Sequence, residues 1–208
     1  MIGGRGALIA THIGAAAIGF AVAPREILDH DVKHSGYFQV DTKKVLSTTV
    51  DSLHNENKLL VFSYKGTASV TAERSVWWIL GGHQDLIVPA VVPYYLDLSQ
   101  LTLGDVSYNE KQKIVTVSLP RPVLGDIAFQ PENATTINGG LLSWSQEQVD
   151  ALNKMNYSNA RRAMIKQAQG EGLISAARRQ AKANVTAYFE IPLRIAGQPD
   201  VRVVSVFR

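Results

Sequence analysis

Residues 91–122 read VVPYYLDLSQLTLGDVSYNEKQKIVTVSLPRP, and this stretch decides the architecture. Val115, Val117 and Leu119 alternate with Thr116 and Ser118, the period of two that marks a strand with one buried face. Asn109-Glu110-Lys111-Gln112 is polar and lies between apolar runs, as a hairpin loop should. Pro120 and Pro122 lack N–H donors, so the strand is predicted to end at Leu119. On the upstream side, Tyr94 to Ser99 leads into a turn around Gly104-Asp105. Most of the strand-like sequence precedes this unit and the longest helical sequence follows it.

Working outward toward the N-terminus, Leu86–Val92 is an apolar run, Gly81-Gly82-His83-Gln84-Asp85 reads as a turn, and Val76–Leu80 reads as a further strand. Leu59–Val70 is another. Trp77 and Trp78 are adjacent, so in a strand they point to opposite sheet faces. Asp41 is placed to cap a helix through Leu53, with Val45, Leu46, Thr49 and Val50 as its apolar side.

Toward the C-terminus, Val123–Phe129 is a short extended piece, and Pro131-Glu132-Asn133 and Asn138-Gly139-Gly140 mark turns. Ser145-x-x-Gln148 has capping-box form with Glu147 favourable in the first turn. The helix predicted from it runs to about Gln169 and carries Val149, Leu152, Met155, Ala160, Ala163 and Met164. Gly170-Glu171-Gly172 bends it. Leu173, Ala177, Ala181, Val185 and Tyr188 resume one buried stripe. Pro192 is expected to kink or restart the helix, Gly197 to cap it, and Val201–Phe207 to form a final strand. The fold class is α+β: an antiparallel sheet packed against a long C-terminal helical region, preceded by one N-terminal transmembrane helix. The division is 1–23 membrane anchor, 24–40 juxtamembrane linker and 41–208 a single α+β domain.

Composition agrees with one packed domain: 208 residues, 46% hydrophobic, 19% charged. A net charge of +3 does not demand a nucleic-acid partner, and the absence of Cys excludes disulfides, thiolate zinc sites and Cys nucleophiles.

The clearest functional clue is at the start. Ile2–Ala23 contains one formal charge, Arg5, and Ala7–Ala23 contains none. That run approaches the roughly 20 apolar residues a spanning helix needs. Three readings compete. A single transmembrane anchor is the leading one. A cleaved signal peptide is the second, since Ala21-Val22-Ala23 has small-x-small form, although Pro24 would hinder the cut. A buried helix is the third. Thr11, Ala15, Gly19 and Ala23 recur every four residues, a face on which two copies could pack as a homodimer. Arg5 before the run and Arg25 and Lys33 after it leave the charge bias nearly balanced, so they do not fix the orientation. On a helix His30 and His34 would share a face, with Asp29 and Asp31 as neighbouring carboxylates, but the plain reading is a solvated linker and no metal is expected.

Asp-Leu-Ser-x-Leu (Asp97 to Leu101), a strand ending in Leu-Pro-x-Pro (Leu119 to Pro122), and an Ala/Arg-rich helical region closing on a Gly and a Val-rich strand come in that order. Together they resemble the bacterial domain of unknown function 4230 family over about residues 41–207. Members of that family have an N-terminal membrane segment and a domain outside the cytoplasm. The resemblance therefore implies a single-pass protein of the inner (cell) membrane with its C-terminal domain outside. It carries no activity and no functional residue. The family usually has a Gly shortly before Asp-Leu-Ser, where this chain has Pro93-Tyr94-Tyr95-Leu96.

Catalytic signatures are absent: no Gly-x-Ser-x-Gly, no His-Glu-x-x-His and no Walker loop. No cofactor is expected. Asn133-Ala134-Thr135, Asn156-Tyr157-Ser158 and Asn184-Val185-Thr186 match a glycosylation triplet that is common by chance. The one asymmetry is electrostatic. Arg161, Arg162, Lys166, Arg178, Arg179 and Lys182 lie in the helical region, a surface for anions or lipid headgroups, against the alternative of a solvated helix face pairing with acids of the sheet. Nucleic acid is not an expected partner. The function expected is a membrane-anchored binding or scaffold domain. Its rivals are an envelope hydrolase with a site near His83 or Asp97, and a lipid-binding module with a cavity between sheet and helix.

Overall fold

The computed structural model describes residues 41–76, 80–140 and 145–208. The anchor, the linker, the Thr11–Ala23 small-residue face and both adjacent tryptophans lie outside the described residues.

Helix α1 (Thr42–Glu56) begins where Asp41 accepts a hydrogen bond from the Lys43 amide and ends at Asn57, whose positive φ turns the chain. Leu46, Thr49, Val50 and Leu53 are its buried side. Strands β1 (Lys58–Val76) and β2 (Leu80–Asp97) pair antiparallel along their whole length. The predicted turn at Gly81–Asp85 is therefore strand, and the separate strands expected at Leu59–Val70, Val76–Leu80 and Leu86–Val92 are parts of two long ones. Glycines at 81 and 82 suggested a turn, but Gln84, Leu86, Val88, Ala90, Val92, Tyr94 and Leu96 are all buried at every second position. That alternation is the signal that outweighs the glycines.

Strand β2 is the centre of a five-stranded sheet. Its other edge meets three short strands in turn: β5 (Val123–Leu124), β6 (Ala128–Phe129) and β7 (Thr135–Gly140). Asn138-Gly139-Gly140, expected as a turn, belongs to β7 opposite Gly82–Gln84. Pro89 and Pro93 sit in the gaps between these three pairings. β7 pairs as far as Ile87, β6 at Ala90 and Val91, and β5 at Tyr94 and Tyr95. A proline has no N–H to give a ladder, so a central strand tolerates it only where no partner requires one. The proline carbonyls still bind the connecting loops, with Gln130 N–H donating to Pro89 at 2.9 Å and Gly125 N–H to Pro93 at 2.8 Å.

A second, three-stranded sheet holds β3 (Val106–Asn109), β4 (Ile114–Leu119) and β8 (Arg202–Phe207). The predicted hairpin is β3–β4, with Val115, Val117 and Leu119 buried, and β4 ends before Pro120. The pairing of β4 with β8 is parallel, so this sheet is mixed, not purely antiparallel.

The helical region is two helices. Ser145 and Gln148 form the expected capping box of α2 (Gln146–Ala168), and Gly170 is the N-cap of α3 (Glu171–Ile195). Each buries a stripe at every fourth residue: Leu152, Asn156, Ala160, Met164 and Ala168 on α2, and Ala177, Ala181, Val185, Phe189 and Leu193 on α3. Met155, expected inside, is 41% exposed, and Asn156 takes the inward place. Phe189, not Tyr188, continues the α3 stripe. Burial of such a ring contributes roughly 1.5–3 kcal/mol. Pro192 does not restart the helix, since it lies in the last turn and its carbonyl accepts from Ala196. Gly197, at φ +78°, closes α3 by bonds from Gly197 to Arg194 and from Gln198 to Leu193. Helix α2 lies on β1 and β2, while α3 packs on β8, β1 and α1. The fold is α+β, with helices on one face of the large sheet.

Candidate functional site

Two faces of the large sheet follow from its alternation. Even-numbered residues of β2 are buried beneath the helices. Odd-numbered residues point the other way, and no described helix covers them. That open face carries Ser63, Lys65, Thr67, Ser69, Thr71 and Glu73 on β1, then His83, Asp85, Ile87, Pro89, Val91, Pro93 and Tyr95 on β2. Ile87 is 40% exposed, and Ile137 on β7 is 52% exposed. A shallow depression of about 220 Å³ lies between Lys65, Thr67, Pro89, Val91 and Gln130.

Two aromatic rings on this face lie over glycines. The Tyr95 ring covers Gly125, and the His83 ring covers Gly139, where an added Cβ would come within 2.5 Å of it. These glycines leave room that any side chain would fill, and the rings in turn shield the bare backbone.

At one end of the face, His83 Nε2 lies 3.9 Å from Asp85 Oδ2, and the Thr71 hydroxyl donates to Asp85 Oδ1 at 2.7 Å. Glu73 stands opposite His83 in the register. These are the right residue types for acid–base work in the wrong order. A nucleophile needs its hydroxyl on the imidazole and the carboxylate behind it, whereas here the hydroxyl is spent on the carboxylate. No three carboxylates or imidazoles among the described residues gather as metal ligands.

Asp97 has a local structural task. Its Oδ1 accepts from the Ser99 hydroxyl at 2.6 Å and from the Ser99 amide at 3.1 Å. The hydroxyl bond first, and the amide bond second, hold its carboxyl below the ordinary range. Leu98 and Leu101, the other residues of the Asp-Leu-Ser-x-Leu motif, are buried. The motif is thus a turn that aims two leucines into the core.

The six basic residues are all exposed, and several have local partners. Arg161 meets Asp126 at 3.4 Å, Arg162 reaches back to Ser158 and Asn159, Arg179 reaches back to Ser175, and Lys182 lies over the Phe207 ring at 5.4 Å. Arg161, Arg162 and Lys166 belong to α2; Arg178, Arg179 and Lys182 belong to α3.

A group the sequence reading missed is buried under α2. Asn156 donates to the Gln84 carbonyl at 2.9 Å and to Gln84 Oε1 at 3.1 Å, and Gln84 donates to Asn138 at 2.9 Å. Asn156 Oδ1 is fully buried and has no hydrogen-bond partner among the described residues. Its place in the four-residue stripe was the available signal.

In comparisons with known proteins, the family model described as protein of unknown function (DUF4230) matches residues 51–202. No curated protein and no solved structure matches.

Proposed function

The chain belongs to the DUF4230 family, and from that premise we propose that it is a membrane-anchored binding or scaffold domain held outside the cytoplasm. The observation that carries the binding role is the open sheet face. Ile87 and Ile137 are presented to solvent there beside a row of Ser and Thr hydroxyls, a mixture of apolar anchors and adaptable donors suited to a macromolecular partner. The uncharged run at residues 7–23 supports the anchor, and Thr11, Ala15, Gly19 and Ala23 offer it a face for close helix packing. Arg161, Arg162, Lys166, Arg178, Arg179 and Lys182 offer anionic headgroups about 1 kcal/mol per charge near the surface.

The test is fractionation of cells that express the full chain, with alkaline carbonate extraction and protease added to spheroplasts. The expected result is retention in the membrane with a protease-sensitive C-terminal domain. A full-length soluble chain, or a shortened one released with the periplasm, overturns the anchor.

A further inference from the structure

Strand β1 has one partner, β2, and among the described residues no strand pairs with its outer edge. The edge is long, with 19 residues and no proline. Natural sheets blunt such edges, because each outward N–H and C=O can take another strand.

The outward groups can be identified. The Pro89 and Pro93 carbonyls point away from β1, since they accept from Gln130 and Gly125. Their β1 partners, Thr67 and Ser63, therefore sit in the non-hydrogen-bonded pairs of the ladder and turn their own N–H and C=O outward. The helix supplies an independent sign of the same geometry. The side-chain amides of Gln167 and Asn159 donate to the Thr67 and Thr71 carbonyls, each at a long 3.5 Å. Odd-numbered β1 residues thus offer the edge, and their exposed side chains lie on the open face.

We propose that two copies of this chain pair antiparallel through β1 about a two-fold axis at Ser69. The strand is complementary to itself in this register. Lys65 and Glu73 are each four residues from Ser69, so each copy's Lys65 stands opposite the other's Glu73, twice over. Thr67 stands opposite Thr71, and Ser69 opposite Ser69. Opposite charges and paired threonines stabilise directly opposed positions, whereas like charges there are unfavourable. On the helix side, Gly66 opposes Ala72 and Ala68 opposes Val70, so small residues meet where space is least. Ala163 lies between Asn159 and Gln167 on the α2 face that overhangs the edge, and its small side chain lets the two α2 helices approach. Arg162 is drawn back onto Ser158 and Asn159 of its own helix. On pairing, the Thr67 and Thr71 carbonyls exchange the long side-chain bonds for backbone donors of the second copy. The proposal does not depend on the membrane anchor.

The chain has no Cys, so Ser69→Cys introduces the sole thiol. Opposed Cα atoms in a hydrogen-bonded pair are about 5.5 Å apart, within disulfide range. Full-length S69C protein in detergent, treated with copper phenanthroline in air, is expected to give a covalent dimer, while S107C on β3 does not. Adding Lys65→Glu puts like charges opposite twice and is expected to lower the cross-linked fraction roughly tenfold. Adding Glu73→Lys as well is expected to restore it. Thermal melting of each variant reports that the exposed substitutions leave the fold intact. The proposal is overturned if S69C cross-links no better than S107C, if the yield ignores charge reversal, as it would in a dimer held only by the N-terminal segment, or if the double variant fails to recover.

Discussion

The Tyr94 hydroxyl, buried in the core, donates to the Ala168 carbonyl at 2.6 Å. It joins the C-terminal part of the central strand to the last residue of α2, where helix carbonyls run out of partners within the helix. Tyr94→Phe keeps the ring and deletes the donor, leaving a buried carbonyl that has lost its partner. The expected loss is about 1–3 kcal/mol, read from chemical denaturation.

Burial chiefly, and the neighbouring Tyr64 secondarily, raise the Tyr94 pKa above its ordinary 10.0. The folded state then holds its proton where the unfolded state releases it. The contribution is fully present below pH 10 and is lost as pH rises through the folded value. Burial raises Tyr188 in the same direction. Wild-type stability is expected to fall above about pH 10 more steeply than that of Tyr94→Phe, which denaturation at stepped alkaline pH will show.

Asp97 has the opposite sign. Its carboxyl is held below 3.8 by the Ser99 hydroxyl and amide, so its contribution is present above pH 3.8 and is lost as pH falls through the folded value. Ser99→Ala removes the first cause, and the Asp97 midpoint is expected to move up toward 3.8 in a carboxyl NMR titration. An unmoved midpoint would mean the hydroxyl bond is not the main cause.

Asn156 and Gln84 act as a unit. Asn156→Leu strands the Gln84 Oε1 acceptor and is expected to cost about 1–3 kcal/mol. In Gln84→Leu with Asn156→Leu no buried amide remains at the pair, so the double variant is expected to lose less than the sum of the singles. A coupling of about 0.5 kcal/mol or more in the double-mutant cycle is the outcome that supports the network.

Gly66 makes room for Tyr64. An added Cβ would come within 2.5 Å of the Tyr64 hydroxyl oxygen. Gly66→Ala is expected to push the ring aside, break its 3.0 Å bond to Gln167 and cost about 1–3 kcal/mol, seen as a lower Tm.

Much of the fold was legible in local chemistry. The β3–β4 hairpin, the proline-limited end of β4, the Asp41 and Ser145 caps and the glycine after α3 each followed from a few adjacent residues. Two readings failed because glycine was weighed over alternation. Gly81-Gly82 and Gly139-Gly140 stand in strands, and Gly139 is there to accept the His83 ring. The parallel β4–β8 pairing was not legible, because nothing local to Arg202–Phe207 names its partner. The site was less legible still. The open face exists because the described helices all lie on the other side of the sheet, which is a tertiary fact. His83 and Asp85 were singled out as a turn pair, but they belong to that face.

Pro89 and Pro93 divide the far edge of the sheet among three short strands, while β1 runs unbroken on the near edge. Among the described residues the large sheet therefore has one long unpaired edge, along β1. Two copies that join through β1 each use the long edge of the large sheet, and among the described residues that sheet then presents the outer edges of the short strands β5, β6 and β7. A two-fold pairing is closed at two, and the prolines that divide the far side of β2 among short strands leave no second long edge there to template a fibre.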